Sequence, residues 1–278
     1  DTAGNTIQVR NGMIFRPTDH LAYAGNLIPV NAFDPVAARL LARYPLPTAS
    51  GAANNFTRTA NEPDQQDQFD LRLDHKFTDQ DHAFGRYSYF RDDTSPVTAL
   101  PDGSGATSAG SLATGSQRTI GQSFASNYQH TFSPNLLNEA RFGYTRRSIS
   151  RSALLLSAPP SQSLNLPGMP SNAAFNNELP TFSISGFQTL GPPSNVDSQF
   201  RTDAVEIADT VSWLHGRHAF KFGTDVRIFR LDVIQPPSPT GSFTFSTLFT
   251  DLNGVTGTGN TLASFLTGAV QSFSIDLQ

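Results

Sequence analysis

The sequence contains no cysteine, which excludes disulfide frameworks and thiolate metal sites. It also lacks any run of about 18 consecutive apolar residues, the length that a membrane helix needs. Charged residues make up only 15% of the chain, whereas a soluble domain averages about 25%. The net charge of −4 comes without a basic stripe, so nothing indicates a nucleic-acid surface that would neutralise phosphates.

Aromatic side chains are abundant by contrast. They form 10% of the 278 residues and include 22 phenylalanines. With so few charges, many apolar side chains must face something other than a compact core or water. The chain begins at Asp1 without the features of a signal peptide, so we expect that processing or truncation has removed its start.

Apolar and polar residues alternate in three similar segments, near residues 67–91, 122–147 and 203–231. Alternation with a period of two places the apolar residues on one face of a strand. The expected apolar face comprises Phe69, Leu71, Leu73, Phe77, Phe124, Tyr128, Phe132, Ala140, Phe142, Tyr144, Val205, Ile207, Val211, Trp213, Phe220, Phe222, Val226 and Ile228. A short polar turn divides each segment, which predicts three antiparallel hairpins.

Long connections rich in Gly, Pro, Ser, Thr and Asn separate these hairpins, at 92–117, 151–200 and 234–261. Loops beyond about 15 residues are uncommon in compact domains, but bacterial outer-membrane barrels combine short periplasmic turns with long extracellular loops. The pattern therefore predicts an all-β fold, an antiparallel transmembrane β-barrel wall segment of about seven or eight strands. Its tight turns should share one rim, and its long loops should gather at the other.

The domain organisation that we expect has two parts. Residues 1–65 form an extracellular loop region with a short helix at 34–43, in which Asp34 is the N-cap and Pro35 the first helical residue. Val36, Leu40 and Leu41 of this helix should pack against neighbouring loop residues. Residues 66–278 form the β-barrel segment.

The charged residues on the polar face are the only candidate site residues. They are expected to line the lumen of the barrel, and they are Asp70, Arg72, Asp74, Glu139, Arg141, Lys221, Asp225 and Arg227. Two interpretations stay open: a ligand path, or a salt-bridged wall that avoids lipid and holds a plug.

Other motifs indicate no chemistry. His215 and His218 could be two metal ligands, but we expect a tight turn not to hold both on one face as a helix would. Gly254 to Gly259 has no Walker lysine after it, and no Gly-x-Ser-x-Gly elbow presents a serine nucleophile. We therefore expect no enzyme activity, no catalytic or metal site and no cofactor.

The amino-acid sequence of several segments resembles the TonB-dependent receptor family, and in particular its Oar-like branch. Members of that branch often carry a carboxypeptidase-regulatory-like domain ahead of the plug. The segments that carry the resemblance are Asn26–Ala38, Tyr44–Pro47, Asp67–His75, Phe84–Tyr89, Phe132–Glu139, Ser212–Gly223 and Gly241–Phe245. They span nearly the whole chain, in the same order as in the family.

The resemblance implies a 22-stranded barrel in the outer membrane, plugged by an N-terminal domain. Such a barrel imports a scarce ligand with energy delivered by the TonB complex through a TonB box. The sequence shows no TonB box, no plug domain and no terminal aromatic strand. We therefore expect an incomplete barrel, whose partners are outer-membrane lipid, the plug, further barrel strands, the TonB complex and an unidentified ligand. The alternatives are a passive outer-membrane porin and a secreted β-sandwich adhesin or structural module.

Overall fold

A computed structural model of the chain describes residues 1–104, 115–153, 158, 160–166, 168–169 and 177–276. The strands are β1 (Asp64–Lys76), β2 (Asp81–Thr94), β3 (Ser116–Ser133), β4 (Leu136–Ser152), β5 (Thr181–Ile184), β6 (Ser198–His215), β7 (His218–Ile234), β8 (Ser242–Phe245) and β9 (Ser272–Ser274). The helices are α1 (Pro35–Leu41), α2 (Pro160–Ser163) and α3 (Thr261–Leu266). Among these residues, no helix has the length and apolar character needed to cross a membrane.

Six long strands form one antiparallel sheet in the order β1-β2-β3-β4-β6-β7. Tight turns join β1 to β2, β3 to β4 and β6 to β7, which confirms the three predicted hairpins. Because every neighbouring pair is antiparallel, these turns lie at one end of the sheet and the long connections at the other. We call these ends the turn rim and the loop rim.

The turns are staggered from one hairpin to the next. Leu136 directly follows the second turn and pairs with Trp213, which lies three residues before Gly216 of the third turn, so the third hairpin extends two residues further. The two turns are thus offset by two residues along the strands, about 6.6 Å, and by two strand spacings across the sheet, about 9.6 Å. If both turns lie at the same depth in the membrane, this offset corresponds to a strand tilt of about 35°. Strands of transmembrane barrels tilt by about 35–45°.

One face of the sheet carries an apolar band. Cross-strand partners point to the same side, so the row Leu71, Tyr87, Phe124, Tyr144, Val205 and Ile228 belongs to this apolar face. On β7 the band runs from Phe220 to Ile228, broken only by Thr224. That run measures about 27 Å along the strand, or about 22 Å along the membrane normal at this tilt, close to the band of about 25 Å in membrane barrels.

Aromatic residues border the band on both sides. Phe77, Phe132, Trp213 and Phe220 lie near the turn rim, whereas Phe69, Tyr89, Phe124 and Tyr144 lie towards the loop rim. Amphipathic rings at both water interfaces form the girdles that transmembrane barrels use. Polar residues also occur within the band; among them is Asp209, whose carboxylate accepts a hydrogen bond from the side-chain nitrogen of Asn138 at 2.9 Å.

The number of wall strands is six, fewer than the seven or eight that the sequence predicts. The apolar residues near 243 and 273 instead belong to β8 and β9; β8 pairs with both β5 and β9 in a separate three-stranded sheet. Within the described residues β1 pairs only with β2 and β7 only with β6. The large sheet therefore has two free edges and is not closed, as expected for part of a wider barrel.

The described parts of the long connections pack around a core of their own. We call this unit the loop cap; it is built from α1, α3, β5, β8, β9 and the described residues of the connections that pack with them. Its buried core comprises Ala37, Leu40, Leu100, Leu164, Leu179, Phe182, Ile184, Leu190, Phe245 and Phe265. These residues come from both sides of the boundary predicted at residue 65, so the N-terminal region and the later loops pack together.

Helix α1 confirms the predicted helix, at Pro35–Leu41 within the expected 34–43. The Asp34 carboxylate accepts hydrogen bonds from the backbone N–H groups of Val36 and Ala37 and thereby caps the helix. Leu40 is 1% exposed and Val36 packs against the core, but Leu41 is 36% exposed. The prediction for Leu41 was wrong, because a seven-residue helix presents only one face to the cap.

Candidate functional site

The polar face of the large sheet holds the eight predicted site residues. The registers place all of them on the side opposite to the apolar band. The set is Asp70, Arg72, Asp74, Glu139, Arg141, Lys221, Asp225 and Arg227. They lie at the same depth as the band, so the wall is charged on one side and apolar on the other.

Three of these residues share a groove of about 490 Å³ across β1 to β4. Arg72 forms a bidentate pair with Asp74 at 2.7 Å, and its guanidinium lies 4.0 Å from the centre of the Phe84 ring. Across the groove, the side-chain amide of Asn127 donates to Glu139 at 2.5 Å. The groove can accept polar or charged groups, because its walls offer carboxylates, amides and the guanidinium of Arg72, which Asp74 fixes in position.

The other predicted residues lie apart from this groove. Arg227 contacts Asp225 at 2.9 Å and Glu206 at 3.4 Å, whereas Arg141 and Lys221 have no ion pair among the described residues. Exposed pairs of this kind contribute about 0–1 kcal/mol each. The eight predicted residues therefore do not converge on one centre: some belong to the groove around Arg72, some to the cluster around Arg227, and others lie apart from both.

The polar face becomes apolar close to the loop rim, a feature that the sequence interpretation missed. We call this region the mouth patch; it comprises Phe90, Ile149, Phe200, Phe229, Leu231 and Val233. Phe229 and Leu231 are 70% and 65% exposed. The available signal is the phase of alternation on β7, where apolar residues occupy even positions up to Ile228 and odd positions from Phe229 to Val233.

The loop cap contains an aromatic cavity of about 320 Å³. The stacked rings of Phe182 and Phe243, with centres 5.0 Å apart, line one part of it, and Phe265 lines another. Asp34 and Asn165 contribute the polar groups. Sequence reasoning could not find this cavity, because its walls come from segments more than 200 residues apart.

A buried pair of carboxyl groups lies where the cap meets the wall. Asp197 precedes β6 and accepts a hydrogen bond from the backbone N–H of Ala153, just after β4, at 3.0 Å. Glu178 is fully buried beside it, and its Oε2 atom has no partner among the described residues. Burial, and then the contact with Asp197, raises the pKa of Glu178 to about 10, so the Glu178 carboxyl is protonated at neutral pH.

This pair predicts a pH-dependent stability of the cap. The pKa of Glu178 is raised from 4.5 to about 10, so its contribution to stability is complete below pH 4.5 and is lost as the pH rises towards 10. Glu178→Gln should remove much of this loss, because the amide is neutral at every pH. Calorimetry from pH 5 to 9 should show a flatter melting temperature than in the wild type. The exposed control Glu62→Gln should behave as the wild type, and identical slopes for all three proteins would contradict the assignment.

The two turn histidines require one correction. His215 and His218 are direct cross-strand partners and therefore lie on the same face, so the expectation that a tight turn would separate them was wrong. A hairpin places paired residues side by side, as a helix does for residues four apart. No group of three metal-ligating side chains occurs among the described residues.

Comparison with protein-family models gives a match over the entire chain. The model described as "Outer membrane beta barrel domain" matches residues 1–278. Neither the curated proteins nor the solved structures contain a match to the chain.

Proposed function

Because the chain belongs to the outer membrane beta barrel domain family, we propose that it forms part of the wall and surface loops of a TonB-dependent transporter. The apolar band lies against the lipid of the outer membrane, where the family places the protein. The polar face, including the eight charged residues, lines the lumen, and the loop cap lies on the extracellular side. The role is ligand recognition and energised uptake of a scarce nutrient, without catalysis.

The mouth patch is the observation that carries this proposal. A passive aqueous pore is lined by polar groups, because water and small solutes pass through it. Here the polar face ends near the loop rim in a cluster of aromatic and aliphatic side chains, of which Phe229, Leu231 and Val233 are exposed, together with a folded cap. Exposed apolar patches of this kind indicate a surface that binds a ligand or another part of the protein.

A passive porin is the second candidate. The charged groove around Arg72, Asp74 and Glu139 favours it, because such side chains suit a water-filled lumen. A secreted β-sandwich no longer fits, since no second sheet covers the apolar face of the large sheet among the described residues and the family is an outer-membrane one.

Two measurements on the intact protein separate the transporter from the porin. The first is conductance in a planar lipid bilayer, where a plugged transporter should show no steady current. The second is binding of the purified periplasmic domain of TonB to the detergent-solubilised protein, which should be detectable. A steady open-pore current combined with no TonB binding would replace the transporter by the porin.

A further inference from the structure

The apolar face carries a belt of charged residues between the upper aromatic girdle and the loop rim. On β2, β3, β4, β6 and β7, every second residue points to this face, and towards the loop rim several of these positions are arginines and aspartates. Those on the same face are Arg91, Asp93, Arg118, Arg146, Arg201, Asp203, Arg230 and Asp232. Since the band below them contacts lipid chains, this belt lies at the depth of the outer-leaflet headgroups.

The belt contains two triads in which one aspartate holds two arginines. Asp93 pairs with Arg91 at 2.5 Å and with Arg118 at 2.6 Å. Asp203 pairs with Arg146 at 2.6 Å and with Arg201 at 3.0 Å. Each triad carries a net charge of +1, and the shared carboxylate fixes the orientation of both guanidinium groups.

A groove of about 440 Å³ lies between these triads. Arg118 on β3 and Arg201 on β6 flank it, and the two strands are about 9.6 Å apart. Between them, β4 presents the small side chains of Ser148 and Ser150, which leave the space. We call this space the headgroup groove.

The chemistry of the headgroup groove suits a phosphate group on a lipid. Arg118 and Arg201 each use Nε to hold an aspartate, and their terminal nitrogens meet no acceptor among the described residues. The Ser148 and Ser150 hydroxyl groups add donors. Asp232, the carboxylate in the lining, pairs with Arg230 at 3.3 Å, while Ile120 and Ile234 supply apolar contacts.

We propose that the headgroup groove binds a phosphate group of a phosphorylated glycolipid in the outer leaflet of the outer membrane. The guanidinium groups of Arg118 and Arg201 contact the phosphate from both sides, because arginine offers paired N–H donors that match phosphate oxygens. The acyl chains then descend over the aromatic girdle to the apolar band. This role is separate from transport, since it uses the opposite side of the wall.

The test is equilibrium binding of lipid A, a diphosphorylated glucosamine lipid, to the intact protein in detergent, followed by native mass spectrometry. Arg118→Gln combined with Arg201→Gln should weaken binding at least about 10-fold, since hydrogen bonds to charged groups are the strong ones. Arg86→Gln combined with Arg147→Gln removes the same charge from the polar face and should bind as the wild type does. Dephosphorylated lipid A should bind the wild type as weakly as lipid A binds the first variant.

Equal binding of lipid A by the wild type and by the Arg118 and Arg201 variant would overturn the proposal. It would also fail if dephosphorylated lipid A bound as tightly as lipid A, or if inorganic phosphate alone occupied the groove as tightly as the lipid. Heat-dependent mobility in gels verifies that each variant is folded. If the double glutamine variant does not fold, binding of lipid A and of dephosphorylated lipid A to the wild-type protein tests the proposal by itself.

Discussion

Replacing Leu71 by arginine should prevent most of the protein from assembling in the outer membrane. Leu71 lies in the apolar band on β1, between the border residues Phe69 and Phe77, and is 55% exposed on the side assigned to lipid. An arginine facing lipid at the bilayer midplane costs about 2–4 kcal/mol, a large part of the typical stability of a folded protein of about 5–15 kcal/mol. The fraction of heat-modifiable protein in outer-membrane preparations measures the effect.

The matched control introduces the same residue on the other side of the same strand. Gln68 is exposed on the polar face, so Gln68→Arg should leave assembly close to that of the wild type, because water solvates the new charge. Asp70→Asn, which removes a charge from that face, should also be tolerated. If Leu71→Arg and Gln68→Arg assembled equally well, the assignment of the lipid-facing side would be wrong.

Replacing Leu40 by alanine should loosen the loop cap without preventing assembly of the wall. Leu40 is 1% exposed in the cap core, where it packs together with Phe182, Phe245 and Phe265. Truncation of a buried leucine costs about 2–5 kcal/mol, since it removes apolar contacts and leaves a cavity. Limited proteolysis of the intact protein should therefore cut the cap segments faster, while gel mobility shows that the wall remains folded.

Leu41 provides the control for the cap prediction. It follows Leu40 in the same helix but is 36% exposed, so Leu41→Ala should change the proteolysis rate little. The two variants differ only in which face of α1 loses its side chain. Equal rates for Leu40→Ala and Leu41→Ala would mean that the cap core contributes little to the order of the loops.

The extent of the wall strands shows where local pattern stops being sufficient. The alternation predicts strands of about 10 residues, but β3 and β6 each have 18 residues and continue beyond the hydrocarbon core of the membrane. In that extension acyl chains no longer contact the outer side, so charged residues replace apolar ones there. The phase of alternation inverts on β7 for the same reason, which is why the mouth patch and the headgroup groove were not predicted.

The sequence by itself determined the three hairpins, the side of the wall on which each alternating residue lies, and the position of helix α1. These features depend on neighbours in the chain: a period of two sorts a strand into two faces, and Asp34 with Pro35 begins a helix. Only the tertiary structure decided the six-stranded wall, the stagger that sets its tilt, the folded cap and the grooves. These depend on contacts between residues such as Leu40 and Phe265, or Arg118 and Asp93, which are distant in sequence and which no local pattern encodes.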